Sequence, residues 1–346
     1  MSSIAASPEN DPSSETKSAG FLDQTLRPSL WDEYIGQESV KRNLEVLIKA
    51  AKERKHPPEH LLFNGPPGLG KTTLAHLIAH ELQCQMKATS GPAIEKVGDL
   101  AALLTNLSPG DILFIDEIHR LSKSIEEVLY PAMEQGSLDI IIGKGPSART
   151  VQLPLPPFTL VAATTQLAQV SAPLRSRFSG GVFQLSFYTD DEIAEILTRS
   201  AKILGVVAEK EAIREIASRS RATPRTANYL LKRARDVAQL KKAPLTKEIV
   251  DEALKMLEVD SLGLTPADRR ILEALITRFG GGPVGVGAIA AALGEEQSAI
   301  ADVHEPYLLQ RGLIERTPRG RTATRAAYEH LGKKPPTTPS GQNQLL

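Results

Sequence analysis

Between Leu61 and Leu82 the chain reads LLFNGPPGLGKTTLAHLIAHEL, an apolar run, a glycine-rich turn and then an amphipathic helical pattern. Gly65, Gly70, Lys71 and Thr72 stand in the spacing G-x-x-x-x-G-K-[ST]. Residues of these types in this order can hold phosphates. Glycines let backbone N–H groups close around the oxygens, the lysine ammonium meets the outer phosphates, and the threonine hydroxyl reaches a bound Mg²⁺. A helix opening at Thr72 adds the positive end of its dipole. A Gly/Pro loop without a ligand is the plain alternative, and the order strand, loop, helix argues against it.

Asp116, Glu117 and His119 follow the apolar run LFI. A phosphate-cleaving site needs carboxylates here, the first to hold hydrated Mg²⁺ and the second to polarise the attacking water. An acidic pair after a strand can instead cap a helix, and the upstream phosphate loop decides for chemistry. His119 either sits beside the water or orients the loop. Thr164 and Thr165 end a third apolar run, where bare threonines are ordinarily turn formers. Arg175 and Arg177 in APLRSRF, and Arg225 in ATPRTAN, carry planar guanidinium forks suited to phosphate charge, with a surface salt bridge as the plain reading of each.

These residues need a sheet to align them. Apolar runs at Gln85–Thr89, Asp111–Ile115 and Phe158–Ala163 alternate with helical or polar stretches, which predicts a parallel α/β sheet. Between the last two lies LDIIIGKGPSARTVQL (138–153), read as a hairpin inserted into that core. Alternation along a strand puts Ile140 and Ile142 on one side and Ile141 on the other. The hairpin either folds back on the domain or offers an isoleucine to a partner. From Thr189 to about Val259 only helical patterns occur. After Leu262, helices and the arginine-rich strand-turn-strand LIERTPRGRTATR suggest a winged-helix DNA-binding unit.

The 41 basic and 41 acidic residues cancel, so DNA contact must be local rather than a coat of bulk charge. No apolar run is long enough for a bilayer and the N-terminus lacks signal-peptide character, so a cytoplasmic protein is expected, with no membrane. Cys84 is the single cysteine, read as a packing residue. Residues 1–20 and 333–346 are polar, Ser/Pro-rich tails expected to be disordered.

The ordered set GPPGLGKTT, LFIDEIH, FTLVAATT, PLRSRF and TPR resembles the AAA+ ATPases. The strings RPSLWDEYIGQ, LFIDEIHRLS, LYPAMEQG, GGGPVG, EPYLLQRG and RTPRGR extend the resemblance to the RuvB family of Holliday junction branch migration motors. It implies a large ATPase domain over 21–188, a helical lid over 189–259 and a winged-helix domain over 262–332. It also implies ATP and Mg²⁺, a hexameric ring on DNA, a RuvA-like junction-binding partner and a RuvC-like resolvase. Carried over by position, Leu26, Arg27, Tyr34 and Ile35 surround adenine and ribose. Gly68, Gly70, Lys71, Thr72 and Thr73 hold phosphates and Mg²⁺, and Asp116 and Glu117 supply the metal-linked and catalytic carboxylates. Thr165 resembles the first sensor, Arg225 the second, and Arg177 the arginine finger. Glu134, Gln135, Gly136 and Tyr188 join the nucleotide contacts, Arg316 and Arg321 the DNA contacts, and Ile140, Ile141 and Ile142 the RuvA-like contact. Two features depart from the family. Ser179–Val182 is one residue longer, and Gln166 stands where Arg is common. An AAA+ clamp loader or protein remodeller is the leading rival, and an ATP-independent winged-helix DNA binder is a more distant one.

Overall fold

The computed structural model describes residues 24–142 and 149–335. The expected N-terminal tail, most of the C-terminal one and the hairpin tip GKGPSA lie outside them.

Helix α1 (Glu38–Arg54) leads into β1 (Leu61–Asn64), followed by the glycine loop and α2 (Lys71–Leu82). Then come β2 (Met86–Ser90), α3 (Val97–Thr105), β3 (Ile112–Asp116), α4 (Lys123–Gln135), β4 (Ser137–Ile142) and β5 (Arg149–Pro154). The first domain closes with β6 (Thr159–Thr164), α5 (Ala172–Ser176) and β7 (Gly181–Gln184). Five strands form one sheet in the order β2-β3-β6-β1-β7, with every neighbouring pair parallel. The sequence predicts four of these and not β7. That strand is a four-residue edge, GVFQ, alternating between half-buried and exposed, so it lacks the apolar run that marks a central strand.

Period-two alternation sorts the strand residues onto two faces. Leu61, Phe63, Phe114, Val161 and Ala163 pack with Val40, Leu44 and Ile48 of α1 and with α2. Leu62, Leu113, Ile115, Leu160 and Ala162 pack with Leu100 and Leu104 of α3 and Ile125 and Leu129 of α4. Parallel register brings the ends of β1, β3 and β6 to one rim, Asn64 beside Thr164 and Ile115 beside Ala162. Such a rim is where doubly wound sheets bind ligands.

The hairpin β4-β5 is antiparallel and stands outside the main sheet. Its root is fixed by Leu138 opposite Leu153, the first buried and the second packed on the α3/α4 core. Farther out, Ile140, Ile141 and Ile142 stand opposite Val151, Thr150 and Arg149.

Helices α6 (Asp190–Ile203), α7 (Lys210–Ser218), α8 (Pro224–Lys241) and α9 (Lys247–Met256) form the lid, and their apolar faces continue the α1/α2 core. Thr189, Thr223 and Thr246 cap three of these helices through their hydroxyls, each satisfying an N–H that the helix itself leaves unpaired.

The last unit has its own core, in which Leu264, Leu272 and Leu275 pack with Ile289, Leu308 and Tyr328. It contains α10 (Pro266–Thr277), α11 (Val286–Leu293), a π-helical turn at Ile300–His304, α12 (Glu305–Gln310), the antiparallel wing β8 (Ile314–Thr317) and β9 (Gly320–Ala323), and α13 (Arg325–His330). The sequence predicts one helix over AIADVHEPYLLQRG. Instead the backbone widens to π geometry just before Pro306, which cannot donate to the preceding turn. The closing α13 was not expected, because its short apolar spacing is hidden behind the basic wing.

Candidate functional site

The glycine loop forms where β1 ends and α2 begins, tied to the sheet by the Gly65 N–H donating to Thr164 O at 3.2 Å. Gly65, Gly68 and Gly70 have φ of +151°, +85° and +95°, which side chains seldom adopt. A Cβ on Gly65 would meet Leu185 O at 2.8 Å, and one on Gly70 would meet Tyr34 Oη at 3.1 Å. The loop is therefore a backbone cradle that has no room for larger residues, as phosphates require. Lys71 is buried, and its ammonium donates to Gly65 O at 2.6 Å and Pro66 O at 2.9 Å. Burial lowers its pKa to about 8, Asp116 and Glu117 pulling it up and Arg225 pushing it further down. The ammonium is thus poised for an anion that would restore its lost solvation.

Under the cradle, Tyr188 Oη donates to Tyr34 Oη at 3.1 Å, and Tyr34 Oη donates to Leu69 O at 3.5 Å. Both rings are buried, and burial holds Tyr188 at about 12 and Tyr34 well above its ordinary value, so both stay neutral donors. Leu26 is buried, and Arg199 of α6 donates to its carbonyl at 3.0 Å. Arg27 is exposed and Ile35 half-buried on the same N-terminal approach, which α6 ties to the lid.

At the ends of the neighbouring strands, Asp116 Oδ1 accepts the Glu117 N–H at 2.9 Å. Glu117 itself adopts a left-handed φ of +49°, costing about 1–3 kcal/mol, a strain of the kind that gathers at functional sites. Thr164, fully buried, sits 3.0 Å from His119 Nδ1 and accepts the Gln166 N–H at 3.0 Å. Burial chiefly lowers the His119 pKa, consistent with a neutral ring accepting the Thr164 hydroxyl. Thr165 is half-buried beside it. The sequence names Thr164, His119 and Gln166 singly but not their contacts, since it takes the β3/β6 pairing to bring them together. Thr223 could have been found, because Thr-Pro-Arg carries the cap-then-proline signal of a helix start.

The lid delivers Arg225, on the first turn of α8, against the cradle. Its N–H donates to Gly68 O at 3.4 Å, and a Cβ on Gly68 would meet Arg225 Cβ at 3.1 Å. A cavity of about 240 Å³ opens here, lined by Pro66, Gly68, Thr223 and Arg225, and on its far side by Val303 and Tyr307. Thr72 and Thr73 are half-buried at the start of α2. Among the described residues no group of three or more His, Cys, Asp or Glu could hold a metal by itself. Thr72 and Asp116 offer oxygens that suit Mg²⁺, which ordinarily completes its shell with phosphate and water oxygens.

Arg177 lies elsewhere. It stacks 4.2 Å over the Tyr130 ring, pairs with Glu134 at 3.1 Å and donates to Pro173 O at 2.6 Å, leaving its Nε buried without an acceptor. Glu134, Gln135 and Gly136 share this surface at the end of α4. No hydrogen bond or ion pair joins these residues to the cradle among the described residues.

The wing arginines are not equivalent, contrary to what their spacing suggests. Glu305 is buried, and Arg321 engages it with Nε at 3.1 and 3.2 Å and a terminal nitrogen at 2.8 Å. Arg321 is therefore largely an internal counter-ion, since a buried carboxylate needs one. Arg316 also reaches Glu305, at 3.2 Å, but its side chain is 61% exposed.

Three family models tile the chain. The Holliday junction DNA helicase RuvB P-loop domain matches residues 26–184, the RuvB AAA lid domain 188–260 and the RuvB C-terminal winged helix domain 261–332. The chain belongs to the RuvB family. It is 58% identical over 311 residues to the Holliday junction branch migration complex subunit RuvB of Dehalococcoides mccartyi strain CBDB1, covering 90% of this chain and 89% of that one. The Thermotoga maritima RuvB Holliday junction branch migration motor superimposes with a TM-score of 0.83 at 48% identity, over 90% of this chain and all (100%) of that one. A point variant of the same Thermotoga protein gives 0.84 at 48% identity, over 90% of this chain and 99% of that one. The RuvB-type α/β ATPase, lid and winged helix expected from the sequence are thus present.

Proposed function

We propose that this chain is an ATP-driven DNA motor that promotes branch migration of Holliday junctions in recombination and repair. The observation that carries the reading is a phosphate cradle with Lys71, Asp116 and Glu117 at one sheet rim, in a chain that runs through a RuvB lid into a winged helix exposing Arg316.

Gly68, Gly70, Lys71, Thr72 and Thr73 would bind the phosphates of ATP. Leu26, Arg27, Tyr34, Ile35 and Tyr188 would hold the nucleoside end. Thr72 and Asp116 would hold Mg²⁺, which when bound neutralises phosphate charge. Glu117 would take a proton from the attacking water, with Thr165 and Arg225 sensing the outer phosphate. Arg177, held by Tyr130 and Glu134 with no hydrogen bond or ion pair to its own cradle among the described residues, suits a finger offered to a neighbouring subunit's site in a ring, a hexamer in our reading. Arg316 would touch DNA phosphates without reading bases, with Arg321 steadying the wing through Glu305. The hairpin isoleucines Ile140, Ile141 and Ile142 would dock a RuvA-like partner, with a RuvC-like resolvase as a later visitor and the cytoplasm as the setting. No helix among the described residues is long and apolar enough to cross a membrane.

The test is ATP hydrolysis by the full chain with duplexes of unrelated sequence. Similar stimulation by all of them, fading with salt, is expected. Hydrolysis indifferent to DNA but stimulated by a sliding clamp or an unfolded polypeptide would favour the clamp-loader or remodeller reading.

A further inference from the structure

One short segment of the winged-helix domain grips both loops that flank the phosphate cradle. The π-helical turn spans Ile300–His304. On one side Asp302 Oδ2 accepts the side-chain amide of Gln166, the residue whose N–H holds the Thr164 hydroxyl against His119. On the other side Val303 O accepts from Arg221 at 2.8 Å, and His304 Nδ1 meets Asp268 Oδ1 at 2.7 Å. Asp268 is fully buried and also pairs with Arg221, whose guanidinium lies 4.9 Å over the Tyr307 ring.

Arg221 and Ala222 both adopt left-handed φ, +57° and +53°, just before the Thr223-Pro224-Arg225 start of α8. Two such residues in a row are strained and persist only where surrounding contacts hold them. The contacts made by Arg221 are those with the winged-helix domain; Ala222 O accepts from the Tyr188 N–H at 3.0 Å. So the loop that delivers Arg225 is held partly by the DNA-binding unit. The residue after the turn is Glu305, the buried carboxylate that holds Arg316 and Arg321 of the wing. A DNA phosphate taking Arg316 competes with Glu305, one residue from the His304–Asp268–Arg221 contacts.

Taken with the reading of the chain as a DNA-dependent ATPase, on which this rests, the geometry points to the turn Ile300–His304 as a coupling clamp. Gln166, Asp302 and Arg221 are its positioning residues, through which nucleotide in the cradle and DNA on the wing alter each other's affinity. The clamp gives Gln166 a specific role: its amide donates to Asp302 without adding a charge beside the cradle.

Coupling between two binding sites is reciprocal, so one factor describes both directions, typically about 5–150-fold. The experiment measures the affinity of the full chain for a labelled duplex with and without a non-hydrolysable ATP analogue, and for the analogue with and without duplex. In the parent both ratios should agree and exceed about fivefold. Asp302→Ala and Gln166→Ala should each bring the factor to within about twofold of unity, while changing analogue affinity without DNA by less than about twofold. Asp302→Asn keeps a carbonyl for the Gln166 amide and should restore the parent factor. If Asp302→Ala fails to fold, Gln166→Ala carries the test, since no buried group depends on its side chain. A parent-like factor in the alanine variants overturns the clamp, as does Asp302→Asn losing as much as Asp302→Ala. A parent that binds both ligands with no coupling also overturns it. A parent that binds no DNA overturns the motor reading instead.

Discussion

At Lys71 burial and chemistry meet in one group. Bound phosphates favour its charged form, so the bound pKa must lie above the free value of about 8. Below that value both states are protonated and affinity is flat. As pH rises through it, the free protein releases a proton that the complex keeps, and nucleotide affinity should fall by up to about tenfold per pH unit. Titration of nucleotide affinity from about pH 6.5 to about pH 9.5 checks this, and a flat profile would remove Lys71 as the titrating phosphate ligand. Lys71→Ala should lose both binding and turnover. Glu117→Gln keeps size and hydrogen bonding but cannot take a proton, so nucleotide should bind while turnover falls about 10²–10⁴-fold, as read by binding and single-turnover assays on one preparation. Lys71 and the acidic pair were legible in the sequence because their chemistry depends on local spacing. The Thr164–His119 contact was not, because those residues are distant in sequence and meet only through the β3/β6 register.

The wing shows what an element adds to its residues. Arg316, Arg319 and Arg321 read as one basic turn in the sequence, but Arg316 and Arg321 stand opposite each other on β8 and β9, and the buried Glu305 divides their labour by holding Arg321 largely covered while Arg316 stays exposed. Arg316→Ala should weaken binding to unrelated duplexes about equally and reduce the salt slope by about one ion, with little change in melting temperature. Arg321→Ala strips a buried carboxylate of its main counter-ion and should cost on the order of 3 kcal/mol of stability, visible by thermal melting before any DNA is added. Equal, fold-neutral losses from both variants would show that Glu305 does not set them apart. At the end of α5, Arg177 is held by Tyr130 and Glu134 and makes no hydrogen bond or ion pair with its own cradle among the described residues. Subunits carrying Arg177→Ala mixed with subunits carrying Lys71→Ala should recover part of the ATPase that neither has alone. No recovery at any ratio, with mixed assembly shown independently, would place Arg177 in cis.

At the scale of the whole molecule, the order of α/β domain, helical lid and winged helix was legible because the apolar strand runs stop before Thr189 and a strand-turn-strand returns only after Leu262. Contacts between units were not, since Gln166–Asp302 and Arg221–Asp268 join polar residues whose partners no local pattern predicts. The hairpin is intermediate. Its strands were readable, and its root at Leu138 and Leu153 fixes where it leaves the core, while Val151 on its second strand is exposed. Ile141→Asp and Ile142→Asp, tested separately, should include a variant that keeps its fold and DNA-free ATPase but loses a RuvA-like partner in a direct binding measurement. Full affinity in both would move the docking surface elsewhere. The most direct test of the motor itself follows the branch point of a mobile four-way junction with unrelated arm sequences, in the presence of a RuvA-like partner. The account predicts movement with ATP, none with a non-hydrolysable analogue or with Glu117→Gln, and similar rates for every arm sequence; ATP hydrolysis at full rate with a stationary branch point would contradict it.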